Sequence, residues 1–381
     1  KKMNLISKKV FLFILIYFLL ILRIHAIDTR ADSAIILDVN SNTILFEKNA
    51  DLKQGPASMS KLMLTYMVFE RLQNRTLTID QEYLVSKKAW KFGGSKMFVN
   101  IGEMVTVENL LKGIIVQSGN DACIVLAEGL SGSEENMVDE MNEKAVELGL
   151  LNSNFQNVTG WPHENHYMSL KDIANLSKLI INNFPEYYYL FSINEFTYNG
   201  IQQFNRNKLI SSDGYDGLKT GRTSQSGFGI AASANRGNRR VVSVVNGLNS
   251  EKERINETKK LVNWSFREFI NYNLYKAEES IQFAKVWLGK EPFVPLVSNE
   301  DLNVTIKKKN IDKFKIKLVY ETPILSPIKK GDKLAGLHVI EGDDIKIKDI
   351  YAGKDIDKVG RFYRSFSIIN YLLFGVSSKD K

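Results

Sequence analysis

Ser58 and Lys61 stand three residues apart at the head of the segment PASMSKLMLTYMVFERL, residues 56–72. A hydroxyl one helical turn from an amine can act as a nucleophile with its own base, provided burial and a second cation favour the neutral amine. The pattern alone does not decide this. Ser-x-x-Lys recurs at Ser326/Lys329 and Ser378/Lys381, and a Ser cap followed by an ordinary surface Lys is the alternative. Two further pieces follow in order: Ser118-Gly119-Asn120, and Lys219-Thr220-Gly221. Ser-x-Asn also occurs at Ser192 and Ser233, whereas Lys-Thr-Gly occurs once, just before the strand-like Gly227–Ala234. The ordered set, in helix, loop and strand contexts, points to acyl transfer on serine. In that chemistry Lys219 supplies the second cation, Ser118 relays a proton, and Asn120 orients Lys61 and the substrate amide. Backbone N–H groups at Ser58 and just after Gly221 would form the oxyanion hole. Gly221 would let a substrate backbone lie close to its strand.

The surrounding elements must hold these groups in place. The run after Ser58 is apolar on nearly every side, as in a buried helix. Ala34–Phe46 reads as a hairpin around Asp38–Asn42. Val85–Val99 is a glycine-centred aromatic loop, either a lid or a packed connection. Val107–Val116, the run from Asp121, Glu134–Leu150 and Ile173–Ile181 carry helical periodicity, the last capped at Ser169. Phe196–Tyr198, Gly227–Ala234 and Arg240–Asn246 read as strands, and Lys259–Tyr272 as a closing helix. Strands from both ends with helices between them predict one α/β domain over residues 27–277. Alternation in Ile281–Lys285, Phe314–Leu318 and Ile345–Ile347 predicts a small all-β domain over 278–352. Asp355–Phe374 returns to helical spacing, with Ile356, Val359, Phe362, Phe366, Ile369 and Leu373 in one stripe flanked by Lys358, Arg361 and Arg364. Such a helix in residues 353–381 suits a membrane interface; packing on its own protein is the alternative.

Residues 1–26 read as a secretory leader: four lysines, the apolar run Val10–Leu22, then a cleavage site after Ala26. Thirteen apolar residues are short for a membrane span. The leader holds five basic residues and no acidic one, leaving 46 basic against 43 acidic, a balance that gives no case for nucleic-acid binding. The single cysteine, Cys123, excludes an internal disulfide and sits in an apolar run, as a buried inert thiol would. His163 and His166 share a polar loop without the further ligands a metal would need, so solvated histidines are expected and no metal or cofactor.

The chain resembles the serine-type D-alanyl-D-alanine carboxypeptidases, the low-molecular-weight penicillin-binding proteins. The likeness rests on the three motifs and on Gln117–Cys123, Asn199-Gly200-Ile201, Asn205-Arg206-Asn207 and Asp216–Gly221, in an order that covers nearly the whole chain. It implies an α/β (α+β) penicillin-recognising transpeptidase/β-lactamase-like domain, then the all-β domain and an anchoring amphipathic helix. By position, Ser58 would be acylated, Lys61 its base, and Ser118 and Asn120 their partners. Arg206, Thr220 and Lys219 would receive the terminal carboxylate of a peptidoglycan stem pentapeptide, with Gly221 and Arg222 beside them. Penicillins would be covalent inhibitors. Arg222 departs from the family, which often has His there, and its charge would bear on substrate preference.

Three rivals remain. A β-lactamase needs a further Glu to activate water; Glu195-x-x-x-Asn199 offers one superficially, but in a strand-like stretch. An endopeptidase cutting crosslinks is close chemically, with the extra β domain and anchor against it. A catalytically dead wall-binding protein would be expected to have lost Ser58, Lys61 or Lys219, and all are present.

Overall fold

The computed structural model describes residues 27–360, which divide into two compact units. The first takes in the chain up to Ile36, Phe46–Arg236 and Val242–Trp264; the second takes Leu37–Leu45, Gly237–Val241 and the chain from Ser265.

Chain order begins with the hairpin β1 (Ser33–Asp38) and β2 (Thr43–Lys48), then a 3-10 turn, Ala57–Ser60, that runs into α1 (Lys61–Gln73). Next come β3 (Glu82–Leu84), α2 (Lys87–Lys91), β4 (Met104–Thr106) and α3 (Val107–Lys112), which ends in a π turn, Gly113–Gln117. Three helices follow: α4 (Asn120–Ser131), α5 (Glu134–Glu147) and α6 (Leu170–Asn183). A small hairpin, β5 (Glu195–Tyr198) and β6 (Ile201–Phe204), leads to β7 (Tyr215–Thr223), β8 (Gly227–Arg236), β9 (Arg239–Leu248) and α7 (Glu251–Glu268). The five-stranded sheet has the order β2-β1-β9-β8-β7, so strands from both ends of the region do meet and β7 lies at an edge.

Helix α1 is the hub. Residues Lys61–Phe69 are all buried, as its all-round apolar sequence requires. Phe69 meets Phe184 and Phe191 edge-on, with ring centroids 5.8 and 6.1 Å apart. Ser169 caps α6 by accepting the Asp172 N–H at 3.1 Å, as its sequence suggests. The expected closing helix is displaced: α7 starts at Glu251 and stops at Glu268, and Phe269–Tyr272 belong to a strand.

That strand, β10 (Phe269–Tyr275), pairs antiparallel with β13 (Leu302–Lys307), so the β-rich unit starts ahead of residue 278. The other strands are β11 (Ser280–Trp287), β12 (Phe293–Val297), β14 (Phe314–Val319), β15 (Ile324–Leu325), β16 (Lys333–Glu341) and β17 (Asp344–Ala352), forming a sheet of order β14-β16-β17-β12-β11-β15. Its core gathers Ala284, Val294, Leu296, Leu337, Ile350 and Ile356. The alternation in β17 marks a strand correctly, but Ile345 and Ile347 are on its exposed side, each 57% accessible. Ile356 corrects the expected C-terminal helix. It forms a bridge with Ile328 and is buried in the β core, while Lys358 bridges Gly289. Val359 donates its N–H to the Leu288 carbonyl at 3.0 Å, so residues 355–360 are extended, and the stripe from Phe362 on, like the leader, lies outside the described residues.

Candidate active site

Ser58 sits in the 3-10 turn rather than in the first turn of α1. Three residues per turn eclipse positions i and i+3, which stacks Ser58 directly against Lys61. Lys61 Nζ lies 2.8 Å from Ser58 Oγ, 2.8 Å from Asn120 Oδ1 and 2.6 Å from the Thr159 carbonyl. The amide and carbonyl oxygens only accept, so they take two N–H bonds. A neutral amine then has its lone pair left for the Ser58 hydroxyl proton. Burial lowers the Lys61 pKa to about 8, with Arg206 adding to the shift and Cys123 and Asp121 opposing it. Lys219, also buried, is pushed well below the ordinary lysine value by desolvation, then by the charges of Lys61 and Arg206.

The loops that deliver these groups are strained where they do so. Ala57 and Ser118, flanking Ser58 and opening the second motif, have φ of 49° and 65°. Left-handed non-glycine residues of this kind cost about 1–3 kcal/mol each and cluster at functional sites. Thr159, not anticipated from sequence, is fixed by Gly160, whose φ is 79° and whose Cβ would come 2.0 Å from the Ala57 carbonyl oxygen. Asn120 is oriented from both sides, since its Nδ2 donates to the Gly93 carbonyl at 2.9 Å. The aromatic loop is thus a packed connection at this point. It is tied further by the buried Asp121, which accepts the N–H groups of Met97, Phe98 and Val99 at 2.9–3.4 Å.

Lys219, Thr220, Gly221 and Arg222 occupy the free-edge strand β7, with Gly221 paired to Gly229 on β8. The reason for glycine at 221 differs from expectation. A Cβ there would meet the Pro56 carbonyl oxygen at 2.9 Å and Ala57 Cβ at 3.1 Å, so the site needs glycine to seat the turn that carries Ser58. A cleft of about 480 Å³ is lined by Ser58, Ser118, Thr220, Gly221, Arg206 and Arg222, bringing eight of the nine expected site residues either into this cleft or onto the Lys61 hydrogen-bond network; Lys219 is buried behind it. Arg206 Nε donates to the Gln117 carbonyl at 2.8 Å. Arg222 stacks on Phe228 with its guanidinium 4.6 Å from the ring centroid.

Sequence reasoning missed Arg254. It projects from α7 into the same cleft, lies 5.8 Å from the Phe228 ring centroid, and donates to Glu251 at 3.2 Å. Its buried Nε has no partner. No spacing rule links Arg254 to the Lys-Thr-Gly strand; only the packing of α7 does. His166 is likewise not solvated. It is 4% exposed, its Nδ1 accepts the Gln156 N–H at 3.1 Å, and desolvation pushes its pKa down to about 4. Cys123 is buried as expected, its thiol pushed up to about 12. Glu195, the possible lactamase carboxylate, is exposed on β5 and accepts from Gln202 at 3.0 Å.

The sequence of residues 22–250 matches the family model described as D-alanyl-D-alanine carboxypeptidase, and residues 269–358 match that of the penicillin-binding protein 5 C-terminal domain. The chain is 35% identical to the D-alanyl-D-alanine carboxypeptidase DacC of Escherichia coli (strain K12), over 90% of this chain and 88% of that one. It is 34% identical to DacF of Bacillus subtilis (strain 168), over 87% of each. Among solved structures it resembles penicillin-binding protein 5 of Haemophilus influenzae, with a TM-score of 0.85, 33% identity, and coverage of 88% of this chain and 100% of that one. Penicillin-binding protein D2 of Listeria monocytogenes, in an ampicillin-bound form, matches with a TM-score of 0.58 at 28% identity, covering 63% of this chain and 99% of that one.

Proposed function

Because the chain belongs to the serine D-alanyl-D-alanine carboxypeptidase family of low-molecular-weight penicillin-binding proteins, we propose that Ser58 is its nucleophile, with Lys61, Ser118 and Asn120 completing the catalytic centre. The protein is a DD-carboxypeptidase that removes the terminal D-alanine of peptidoglycan pentapeptide stems, and it binds β-lactams. The observation that carries the residue assignment is the contact of the buried Lys61 amine with Ser58 Oγ at 2.8 Å.

The chemistry follows from the geometry. Lys61 takes the Ser58 proton as Oγ attacks the carbonyl carbon of the penultimate D-alanine. The oxyanion is met by the N–H groups of Ser58 and Arg222. The C–N bond breaks as a proton passes from Lys61, by way of Ser118, to the departing D-alanine amine. Water then attacks the ester, and the serine regains its proton. Arg206, Thr220 and Arg254, with Lys219 behind them, hold the terminal carboxylate, and Arg222 flanks it. Incubation with a D-Ala-D-Ala pentapeptide should release D-alanine from wild type and none from Ser58→Ala. Undiminished release by the variant would overturn the assignment.

We further propose that the chain is exported and held at the outer face of the cytoplasmic membrane. Support comes from the leader-like residues 1–26 and from the sequence spacing of Phe362, Phe366, Ile369 and Leu373, which fits one apolar helical face beside Arg361 and Arg364. Deleting residues 361–381 should move the protein to the soluble fraction; unchanged membrane retention would count against the anchor.

A further inference from the structure

A second cavity, about 650 Å³, adjoins the Ser58 turn and does not include Arg206 in its wall. Pro56 and Ala57, just before Ser58, and Thr223, just after Arg222, form part of its wall. None of the catalytic groups described above lines it.

Two of its wall residues carry buried hydrogen-bond donors with nothing to donate to. Gln54 Oε1 accepts from Asn246 Nδ2 at 2.9 Å, and its Nε2 is buried without a partner. His166 Nδ1 accepts the Gln156 N–H, which places the ring proton on Nε2, and that buried atom is also unpartnered. A buried donor left unmade carries its desolvation penalty without return, so two of them facing one cavity call for an acceptor. Lys53, whose Nζ lies 4.9 Å from the Tyr167 ring centroid, adds positive charge at the same wall. Asp32 and Glu164 supply the opposite sign. The lining therefore offers donors and a cation for a carboxylate, together with carboxylates for an ammonium.

Position selects which part of a substrate could reach it. An acyl chain attached to Ser58 and lying along the free edge of β7 passes Arg222 and arrives at Thr223. The residue before the acyl D-alanine is the third of the stem. We propose that this cavity is the subsite for the third residue, and that it selects a diamino diacid whose side chain ends in a free amino-carboxylate over lysine, which offers only an amine. This rests on the carboxypeptidase reading above and specifies its substrate.

The test compares release of D-alanine from three pentapeptides identical except at position three: a diamino diacid, lysine and norleucine. Wild type should process the diamino-diacid peptide with kcat/KM at least about tenfold above the other two. In Gln54→Leu, which removes a donor to the side-chain carboxylate, the advantage over lysine should fall below about threefold; in Asp32→Asn, which removes the partner of the ammonium, the advantage over norleucine should fall below about threefold. Thermal melts establish that each variant is folded, and the exposed Asp32 decides the matter should Gln54→Leu unfold. Equal rates in wild type, a preference for lysine, or an advantage that survives both substitutions would overturn the proposal. Release from none of the three peptides would instead sink the carboxypeptidase reading, and the subsite with it.

Discussion

Gly221 and Gly229 face each other across β7 and β8, and Met59 fills the space that side chains on either would occupy. A Cβ on Gly221 would stand 3.2 Å from Met59 Cγ, and one on Gly229 would stand 2.9 Å from Met59 Cε. The turn carrying Ser58 is thus seated on β7 through Met59, one residue from Ser58. Gly221→Ala must push the Pro56–Met59 backbone away from β7. We expect kcat to fall about 100-fold from misplacement of Ser58. Thermal melting and D-alanine release measured together check this; a folded variant with wild-type kcat would show that the turn does not depend on the glycine.

The rate of acylation should follow the neutral fraction of Lys61. With its pKa lowered to about 8, the amine loses its proton as pH rises through that value. Acylation by a β-lactam should therefore increase about tenfold from pH 6 to 7 and level off above pH 9. A flat profile over that range would exclude Lys61 as the base. Lys61→Arg, which stays charged throughout, should not be acylated at any of these pH values.

Arg254 offers its guanidinium to the same cleft as Arg206, and hydrogen bonds to a charged group contribute about 1.5–3 kcal/mol. Arg254→Ala should raise KM for a D-alanine-terminated peptide about 10- to 100-fold. The penalty should vanish on a peptide ending in D-alaninamide. An equal penalty on both would mean that Arg254 acts on the fold instead of the carboxylate.

His166 should make the protein acid-sensitive. Its imidazole is held neutral in the folded state, with a pKa of about 4 against 6.5 ordinarily. Below pH 6.5 the unfolded chain binds a proton that the folded chain does not. Stability is therefore lost as pH falls from 6.5 to 4, by up to about 3 kcal/mol. Denaturant unfolding across that window should show the slope in wild type and its absence in His166→Gln.

The parts of the site that announce themselves locally were legible in the sequence. Ser58 and Lys61, Ser118 and Asn120, and the Lys219–Gly221 strand each carry their chemistry within four residues, and α1 shows its burial in an unbroken apolar run. What escaped was set by partners far along the chain. Phe269–Tyr272 fits a helix by aromatic spacing, yet its backbone pairs with Val304–Lys307. Ile356 fits an amphipathic stripe, yet it pairs with Ile328 and fills a β core. Arg254 reaches the cleft only through the placement of α7, and the polar neighbours Glu164 and Asn165 make His166 look solvated although its ring is buried. Periodicity over one or two turns cannot see such contacts.

Ser58, activated by Lys61, should become covalently acylated by a β-lactam. Intact-mass measurement after exposure to benzylpenicillin, followed by peptide mapping, tests it most directly. One penicilloyl adduct is expected, located on the peptide containing Ser58, and neither Ser58→Ala nor Lys61→Ala should acquire it under the same conditions. An adduct on another residue, or full labelling of either variant, would mean that Ser58 is not the nucleophile activated by Lys61.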